Sequence, residues 1–376
     1  MKIEDLREEI NKIDDEMSDL FFRRMEVVEK VAQYKKENGL PIVNMQRERE
    51  ILANLSDKCE KLETYTRSVF NTIMDVSRSY QETVINEDSP MRELIRGAMK
   101  NTEFPKKATV ACQGIDGAYA QLACDKIFSL ANIMYFKNFD GVFNAVEKGL
   151  CKYGILPIEN SVHGSVNEVY DLMRNHSFYI VRALKLRVNH HLLAKPNVKL
   201  GDIKEIISHP QAIGQCKKFL GTLPDVKITF CENTAVAARM VSESPRRDIA
   251  AISSANCAEL YGLKTVKCSI EDASGNSTRF ICISKEPEIY AGANKISIML
   301  TLPHRPGALY SIIGGFYSLG LNLTKLESRP MGDSDFEFMF YFDIEASVTD
   351  EKVVGKLCEL EKTLDQFVFF GNYPEM

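Results

Sequence analysis

The sequence predicts a multidomain chain with an all-α block of three helices at 1–96, a two-lobed α/β domain at 106–285 and a ferredoxin-like βαββαβ domain at 291–376. Three observations carry this. Of the 21 glycines only Gly39 lies before residue 97, and Pro41 and Pro90 are the only prolines there. From about residue 106 short β-rich runs alternate with helical ones, the texture of an α/β sheet. Beyond the linker-like stretch EPEIYAGAN (286–294) the order becomes strand, helix, strand, strand, helix, strand. A length of 376 residues agrees with two or three domains.

In the first block, Ile3, Leu6, Ile10, Ile13, Met17, Leu20, Phe21, Val27, Val28, Val31 and Tyr34 keep the three-four spacing of one long amphipathic helix, which Gly39 and Pro41 end. Further helices are expected at about 44–60 and 62–86. The first helix, about 35 residues, spans ~52 Å, whereas a 90-residue globule is only ~30 Å across. Its stripe needs a cover, and a second copy of the chain, an intertwined dimer, supplies one. In the α/β region the expected strands are Ala108–Cys112, Ile133–Phe136, Gly154–Pro157, Phe178–Leu193, Ile203–Ser208, Val226–Phe230, Ile249–Ile252 and Thr278–Ser284, mostly parallel. The two lobes divide near 180–190. The last domain reads strand Lys295–Leu302, helix 308–319, strands Asn322–Ser328 and Glu337–Ile344, helix 350–362 and strand Gln366–Gly371.

Composition excludes several classes. Apolar residues are 45 % and charged residues 26 %, ordinary globular proportions. A net charge of −5, with carboxylates in excess in the helical block, argues against nucleic acid as a partner. No run of 18 apolar residues occurs, so no membrane partner is expected. MKIEDLREEI is charged rather than signal-like, so a cytoplasmic location is expected. Ten cysteines lie scattered without a Cys-x-x-Cys pair, and His190–His191 is the only close histidine pair. Reduced, mostly buried thiols are expected, with no metal and no cofactor.

Some cations sit where apolar residues belong. Arg7, Arg24 and Lys35 fall on the stripe of the first helix, and Arg47 precedes Ile51 and Leu55 in the second. A buried guanidinium needs an anionic partner. A single one is met by a neighbouring Glu or snorkels at an edge; four on three-helix seams suit a buried polyanion. The third helix adds Ser77 and Gln81 one turn apart, and a core-facing Gln needs a hydrogen bond. With Glu48, this set suits a small dicarboxylate. The stretches LREEINKIDDEM, LFFRRMEVVEKVAQYK, NMQRERE and IMDVSRSYQ resemble the all-helical class of chorismate mutase. The resemblance implies that Arg7 comes from one subunit and Arg24, Lys35, Arg47, Glu48, Ser77 and Gln81 from the other. Lys35 and Gln81 would face the breaking ether oxygen, the arginines the carboxylates. The family's usual Asp is Asn44 here. A pericyclic rearrangement needs no nucleophile, only a held conformer and stabilised negative charge.

In the α/β domain, CQGIDGAYAQLA (112–123), LPIENSVHGSVNEVYDL (156–172), SHPQAIGQC (208–216), NTAVAARM (233–240) and NSTRFICIS (276–284) each fall at a strand edge beside a helix start, where open α/β sheets bind ligands. Singly each reads as a turn, a cap or a helix start. Together, in this order, they resemble prephenate dehydratase. The resemblance implies a fold of the periplasmic-binding-protein kind and a hydroxyl donor at Thr278. Asn160, Ser161 and Gln215 would orient the substrate. Arg279 either binds a carboxylate or pairs with Glu159. His209 reads as an acid or as a structural helix start. Ala120 stands where the family usually has Ser.

HRPGALY (304–310) and LESRP (326–330) place a Gly turn at a helix start beside a strand. They resemble the amino-acid-binding ACT domain, which implies phenylalanine as effector, near Gly307, Ala308, Leu309, Asn322, Glu327 and Ser328. The combined expectation is a homodimeric or larger bifunctional enzyme that takes chorismate to prephenate and prephenate to phenylpyruvate. A mutase fused to a dehydrogenase would need Gly-x-Gly-x-x-Gly, which GIDGAY (114–119) does not supply. A non-catalytic sensor leaves the polar helical seam unexplained.

Overall fold

The computed structural model describes residues 2–56, 61–85, 89–100, 103–223, 225–273, 275–330 and 338–376. Cys59, Glu337 and the outer ends of the expected helices 44–60 and 62–86 lie outside them. The chain divides into two units, Met1–Gly97 with Asn294–Phe370, and Ala98–Ala293 with Gly371–Met376.

The first block forms α1 (Ile3–Asn38), α2 (Met45–Ser56), α3 (Glu63–Ile85) and α4 (Pro90–Ala98). Gly39 ends α1 in the left-handed region (φ 62°), and Leu40 N–H then reaches the Lys35 carbonyl at 2.9 Å. Asn44 caps α2, its Oδ1 accepting from Arg47 N–H at 3.0 Å. The sequence reading omitted α4. Ser89 starts it, its Oγ accepting from Arg92 N–H at 3.2 Å ahead of Pro90 at the first helical position. Within this chain the stripe of α1 is largely bare: Ile3, Ile10, Ile13, Met17, Leu20, Val27, Val31 and Tyr34 are exposed, while Val28 and Ala32 are buried.

The α/β unit follows as β1 (Lys107–Gln113), α5 (Tyr119–Ile127), β2 (Leu130–Phe136), α6 (Phe139–Glu147), β3 (Tyr153–Asn160), β4 (Gly164–Ser165), α7 (Asn167–Met173) and β5 (Tyr179–Arg187). The second lobe runs through β6 (His191–Ala194), β7 (Glu205–Ser208), α8 (Pro210–Gly214), α9 (Lys217–Leu220), β8 (Lys227–Phe230), α10 (Thr234–Glu243), β9 (Ile249–Ser253), α11 (Ala255–Leu260) and β10 (Lys264–Lys267), before β11 (Ser277–Ser284) returns to the first. The sheet orders are β2-β1-β3-β11-β5 and β10-β6-β9-β7-β8.

The expected run Phe178–Leu193 is thus two strands, broken where the chain changes lobe. The sheets are mixed rather than mostly parallel. β1, β2 and β3 run parallel, as do β7, β8 and β9, while β11 and β6 lie antiparallel to both their neighbours. The reason is connection length: β11 enters from the other lobe rather than through a βαβ crossover. Phe104, Phe128, Tyr153 and Tyr290 pack in the first lobe around the buried thiols Cys112, Cys124 and Cys282. The Cys124 thiol and then burial push Cys112 well above the ordinary thiol range, and burial followed by Cys124 does the same to Cys282.

The final segment forms β12 (Lys295–Leu302), α12 (Ala308–Ser318), β13 (Asn322–Pro330), β14 (Phe338–Glu345), α13 (Glu351–Thr363) and β15 (Phe367–Tyr373), with sheet order β13-β14-β12-β15. This is the ferredoxin-like arrangement. Its helix α13 packs on α3, where Ser79 Oγ donates to Glu359 Oε2 at 2.8 Å and Lys362 Nζ meets Glu82 at 3.3 Å. Among the described residues no helix is long and apolar enough to cross a membrane, and no cluster of three His, Cys, Asp or Glu could hold a metal.

Candidate active sites

On the inner face of α1 and α3, four expected residues meet. Arg24 donates to Ser77 Oγ, whose own hydroxyl donates to the Ile73 carbonyl at 2.5 Å. Lys35 Nζ donates to Gln81 Oε1 at 3.1 Å and to the Ile42 carbonyl at 2.6 Å. Helical spacing makes this possible: Ser77 and Gln81 are four apart on one face, and Gln81 Nε2 donates back to the Ser77 carbonyl at 3.3 Å. Burial lowers the pKa of both cations, and Glu48 partly restores that of Lys35.

Three expected members stand apart. Glu48 accepts from Arg78 Nη1 at 2.6 Å. It lines a cavity of about 610 Å³ with Asp75, Arg305, Gly307, Lys356 and Glu359. Arg47 is exposed and pairs with Glu50 at 3.3 Å, because its position on α2 points outward in one chain. Arg7 is exposed 28 positions before Lys35, about 42 Å along a helix rising 1.5 Å per residue.

Between the lobes of the α/β unit lies a cleft of about 460 Å³, lined from both sides. Asn160, Gln215 and Thr278 line it together, with Phe280, His190, His209, Ala120 and Asn233. Asn160 ends β3 opposite Thr278 of β11. Its Oδ1 accepts the backbone N–H groups of Val162 and His163, both at 3.0 Å, which turns Nδ2 toward Thr278 Oγ1 at 3.1 Å and Asn276 Oδ1 at 2.8 Å. Asn276 Nδ2 donates to Gln215 Oε1 at 3.0 Å, where His190 Nε2 also arrives at 2.6 Å. A chain of neutral donors therefore runs from the hinge histidine to the Thr278 hydroxyl. Glu168 and Glu232 also line the cleft, and among the described residues no lysine or arginine does.

Ser161 and Arg279 are not in this lining. Ser161 laces the β3 end to the β11 start, its Oγ donating to the Gly275 carbonyl at 3.0 Å and accepting from Ser277 N–H at 2.9 Å. Arg279 falls on the other face of β11 by simple strand alternation. There its Nε lies 2.5 Å from Glu375 and its Nη2 donates to Tyr373 Oη at 3.0 Å. Substrate contact by Arg279 is corrected accordingly. His209 caps α8, its Nδ1 accepting from Gln211 N–H at 3.2 Å, and burial lowers its pKa. That favours the structural alternative over the acid. His190 and Asn276 were not singled out from the sequence. Their one signal was position, at the two places where the chain crosses between lobes.

In the ferredoxin-like domain, Gly307 opens α12 at φ 83°. Asn322 Nδ2 donates to Glu345 at 2.7 Å, and Glu327 lies 3.6 Å from Lys325. Along β13 exposure alternates, so Asn322 and Ser328 face one way and Glu327 the other. The expected effector residues therefore do not all share one face in a single chain.

A polar cleft between two α/β lobes, joined in sequence to a helical cation seam, suits an enzyme that handles small polar acids. Comparison with known proteins gives the class its name. The prephenate dehydratase family model matches residues 110–288, and that of chorismate mutase type II matches residues 6–82. An arogenate dehydratase/prephenate dehydratase of Arabidopsis thaliana is 36 % identical over 79 % of this chain and 81 % of its own. A bifunctional chorismate mutase/prephenate dehydratase of Aquifex aeolicus is 29 % identical over 100 % of this chain and 98 % of its own. The prephenate dehydratase of Arthrobacter aurescens, solved with L-Phe, is 30 % identical with a TM-score of 0.64, covering 71 % of this chain and 90 % of that one. The chain belongs to the prephenate dehydratase family, in the bifunctional form that also carries a chorismate mutase domain.

Proposed function

We propose that the helical block rearranges chorismate to prephenate, and that the α/β cleft converts prephenate to phenylpyruvate, water and carbon dioxide under phenylalanine control. The observation that carries the reading is the Asn160–Thr278 pair at the centre of a neutral donor chain. In the dehydration, the ring carboxylate leaves as carbon dioxide, its electron pair aromatises the ring, and the ring hydroxyl departs as water with one added proton. Because Asn160 donates to Thr278 Oγ1, the threonine hydrogen is free to point at the departing hydroxyl. Aromatisation drives the step, so a hydrogen bond suffices where full proton transfer from threonine would not. The carboxylates are met by the N–H groups opening α5 and α10, whose first residues Tyr119 and Thr234 line the cleft.

In the mutase, Lys35 and Gln81 donate to the ether oxygen as charge develops, and Arg24 clamps a carboxylate; Arg47, which faces outward and pairs with Glu50 in one chain, joins it only if it turns inward from that pairing. Arg7, about 42 Å from Lys35 along its own helix, serves the site of a second chain whose α1 covers the bare stripe. The ferredoxin-like domain acts as an ACT domain, with phenylalanine held near the Gly307 turn; the Arthrobacter relative was solved with this amino acid.

The test is the full-length protein on chorismate, following prephenate and then phenylpyruvate, with arogenate offered separately because the Arabidopsis relative is named for both substrates. Sequential appearance of both products supports the reading. No phenylpyruvate from supplied prephenate removes the second half of it.

A further inference from the structure

β15 begins at Phe367 among the strands of the ferredoxin-like sheet, but its continuation from Gly371 belongs to the α/β unit. Residues 374–376 lie along β5, the outer strand of the first lobe's sheet. Ala183 N–H donates to the Pro374 carbonyl at 3.0 Å, Met376 N–H to the Ala183 carbonyl at 2.9 Å, and Lys185 N–H to the Met376 carbonyl at 3.1 Å. Gly371 admits this course. Its φ is 140°, and a Cβ there would overlap the Ile180 carbonyl oxygen.

The segment also reaches the strand that carries Thr278. Arg279 is only 5 % exposed, and a guanidinium that deep needs partners. Glu375 and Tyr373, itself fully buried, are two of them, with Glu375 also 3.3 Å from Lys185. On its β3 side the pairing of β11 is irregular at this point. The β11–β3 register shifts between Arg279 and Phe280, opposite Pro157, which has no N–H to donate. On the β5 side the ladder runs through Thr278, Arg279 and Phe280 without a break, so side-chain anchorage at Arg279 adds to the ladder on the β3 side, where the register slips, and helps to fix the direction of the neighbouring hydroxyl.

We propose that Tyr373 and Glu375 are positioning residues of the dehydratase, holding Arg279 on the back of β11 so that Thr278 faces the cleft, and that this grip is where effector occupancy acts on the reaction. The second clause rests on the proposed regulatory role of the ferredoxin-like domain. The physical link is the chain itself: β15 carries both the regulatory sheet's edge and the grip, so a ligand that favours a different setting of β15 loosens Arg279.

The test uses full-length Glu375→Gln and Tyr373→Phe. For both, dehydratase kcat should fall about ten- to a hundredfold, as expected for a misdirected catalytic hydroxyl. KM should change little, mutase turnover should be unchanged, and phenylalanine should still bind by calorimetry while changing the remaining rate less than in wild type. Gly371→Ala, which obstructs the same segment without touching Arg279, should reproduce the kcat loss. Retained mutase turnover reports folding of the helical block, and circular dichroism with prephenate binding reports folding of the cleft. If the wild type is active and either charge or hydroxyl variant keeps full kcat, the positioning role is overturned. If kcat falls but phenylalanine inhibits to the wild-type extent, the regulatory clause is overturned. A wild type without dehydratase activity would count against the proposed function instead.

Discussion

Asn160 Nδ2 donates to Thr278 Oγ1 at 3.1 Å across the β3–β11 pair, which leaves the Thr278 hydroxyl proton available for the dehydration we propose. Thr278→Val keeps the shape and removes that proton. Dehydratase turnover should drop by roughly 10²-fold or more, and prephenate should accumulate from chorismate because the mutase is untouched. Unchanged phenylpyruvate production would exclude Thr278 as the essential donor.

Lys35 and Gln81 meet at 3.1 Å on the mutase seam. Lys35→Ala and Gln81→Ala should each lower mutase turnover by about 10²-fold, the loss of one transition-state donor, with dehydratase activity on supplied prephenate retained. Burial lowers the pKa of Lys35 from 10.5. The protonated form does the work, so mutase activity should decline with rising pH at values below 10.5. A rate that holds beyond that point would mean that the ammonium is not the donor.

A mixture of full-length Arg7→Ala and Lys35→Ala chains, each inactive as a mutase alone, should regain activity as subunits exchange. One of the two hybrid sites then receives both intact residues. Sedimentation should show a dimer, and an active monomer would remove the shared site.

His190 gives the cleft a pH limit on the acid side. Its Nε2 donates to Gln215 Oε1, and its buried Nδ1 has no partner among the described residues. Burial lowers its pKa from 6.5, with Gln215 and Glu271 opposing the shift. The unfolded chain therefore binds the proton first, and stability from this group is present above 6.5 and lost as pH falls through the folded value. Thermal midpoints measured below pH 6.5 should fall less steeply for His190→Gln than for wild type. Identical slopes would assign the acid sensitivity elsewhere.

Gly307 stands at φ 83° with open space around a would-be Cβ. The obstacle to substitution is thus the backbone, which Val resists and Asn tolerates. Gly307→Val should weaken phenylalanine binding by calorimetry at least tenfold, and Gly307→Asn should do so much less. Equal affinities in all three proteins would remove this turn from the effector site.

What the sequence disclosed follows from range. Gly39 stopping a 36-residue helix, and the placing of Arg24 and Lys35 on one helix face and of Ser77 and Gln81 on another, depend on spacing within helices, which periodicity reports directly. That the two faces meet, and that Thr278, Asn160 and Gln215 line one cleft, came from the family resemblance and not from local pattern, because each grouping joins segments far apart in the chain. Arg279 was half legible: alternation with Thr278 and Phe280 puts it on the other face, but its partner Glu375 lies 96 positions further on and no local pattern points to it. Glu48 was drawn off by Arg78, 30 positions away. The start of α4 carried an overlooked signal, a Ser89 cap directly ahead of Pro90 at the first helical position.

The chain passes between the lobes twice, at 188–190 and again between Lys267 and Ser277, and the two passages are stitched together. Val188 N–H donates to the Asn276 carbonyl at 2.9 Å, Ile270 N–H to the His190 carbonyl at 2.9 Å, and His190 N–H to Glu271 at 3.0 Å. Two tethers laced side by side are held as one piece of structure rather than as two separate strings. Asn276 and His190 sit one on each tether, and both belong to the hydrogen-bonded chain that ends at Thr278, so the seam that joins the lobes and the seam that orients the hydroxyl are built from the same residues.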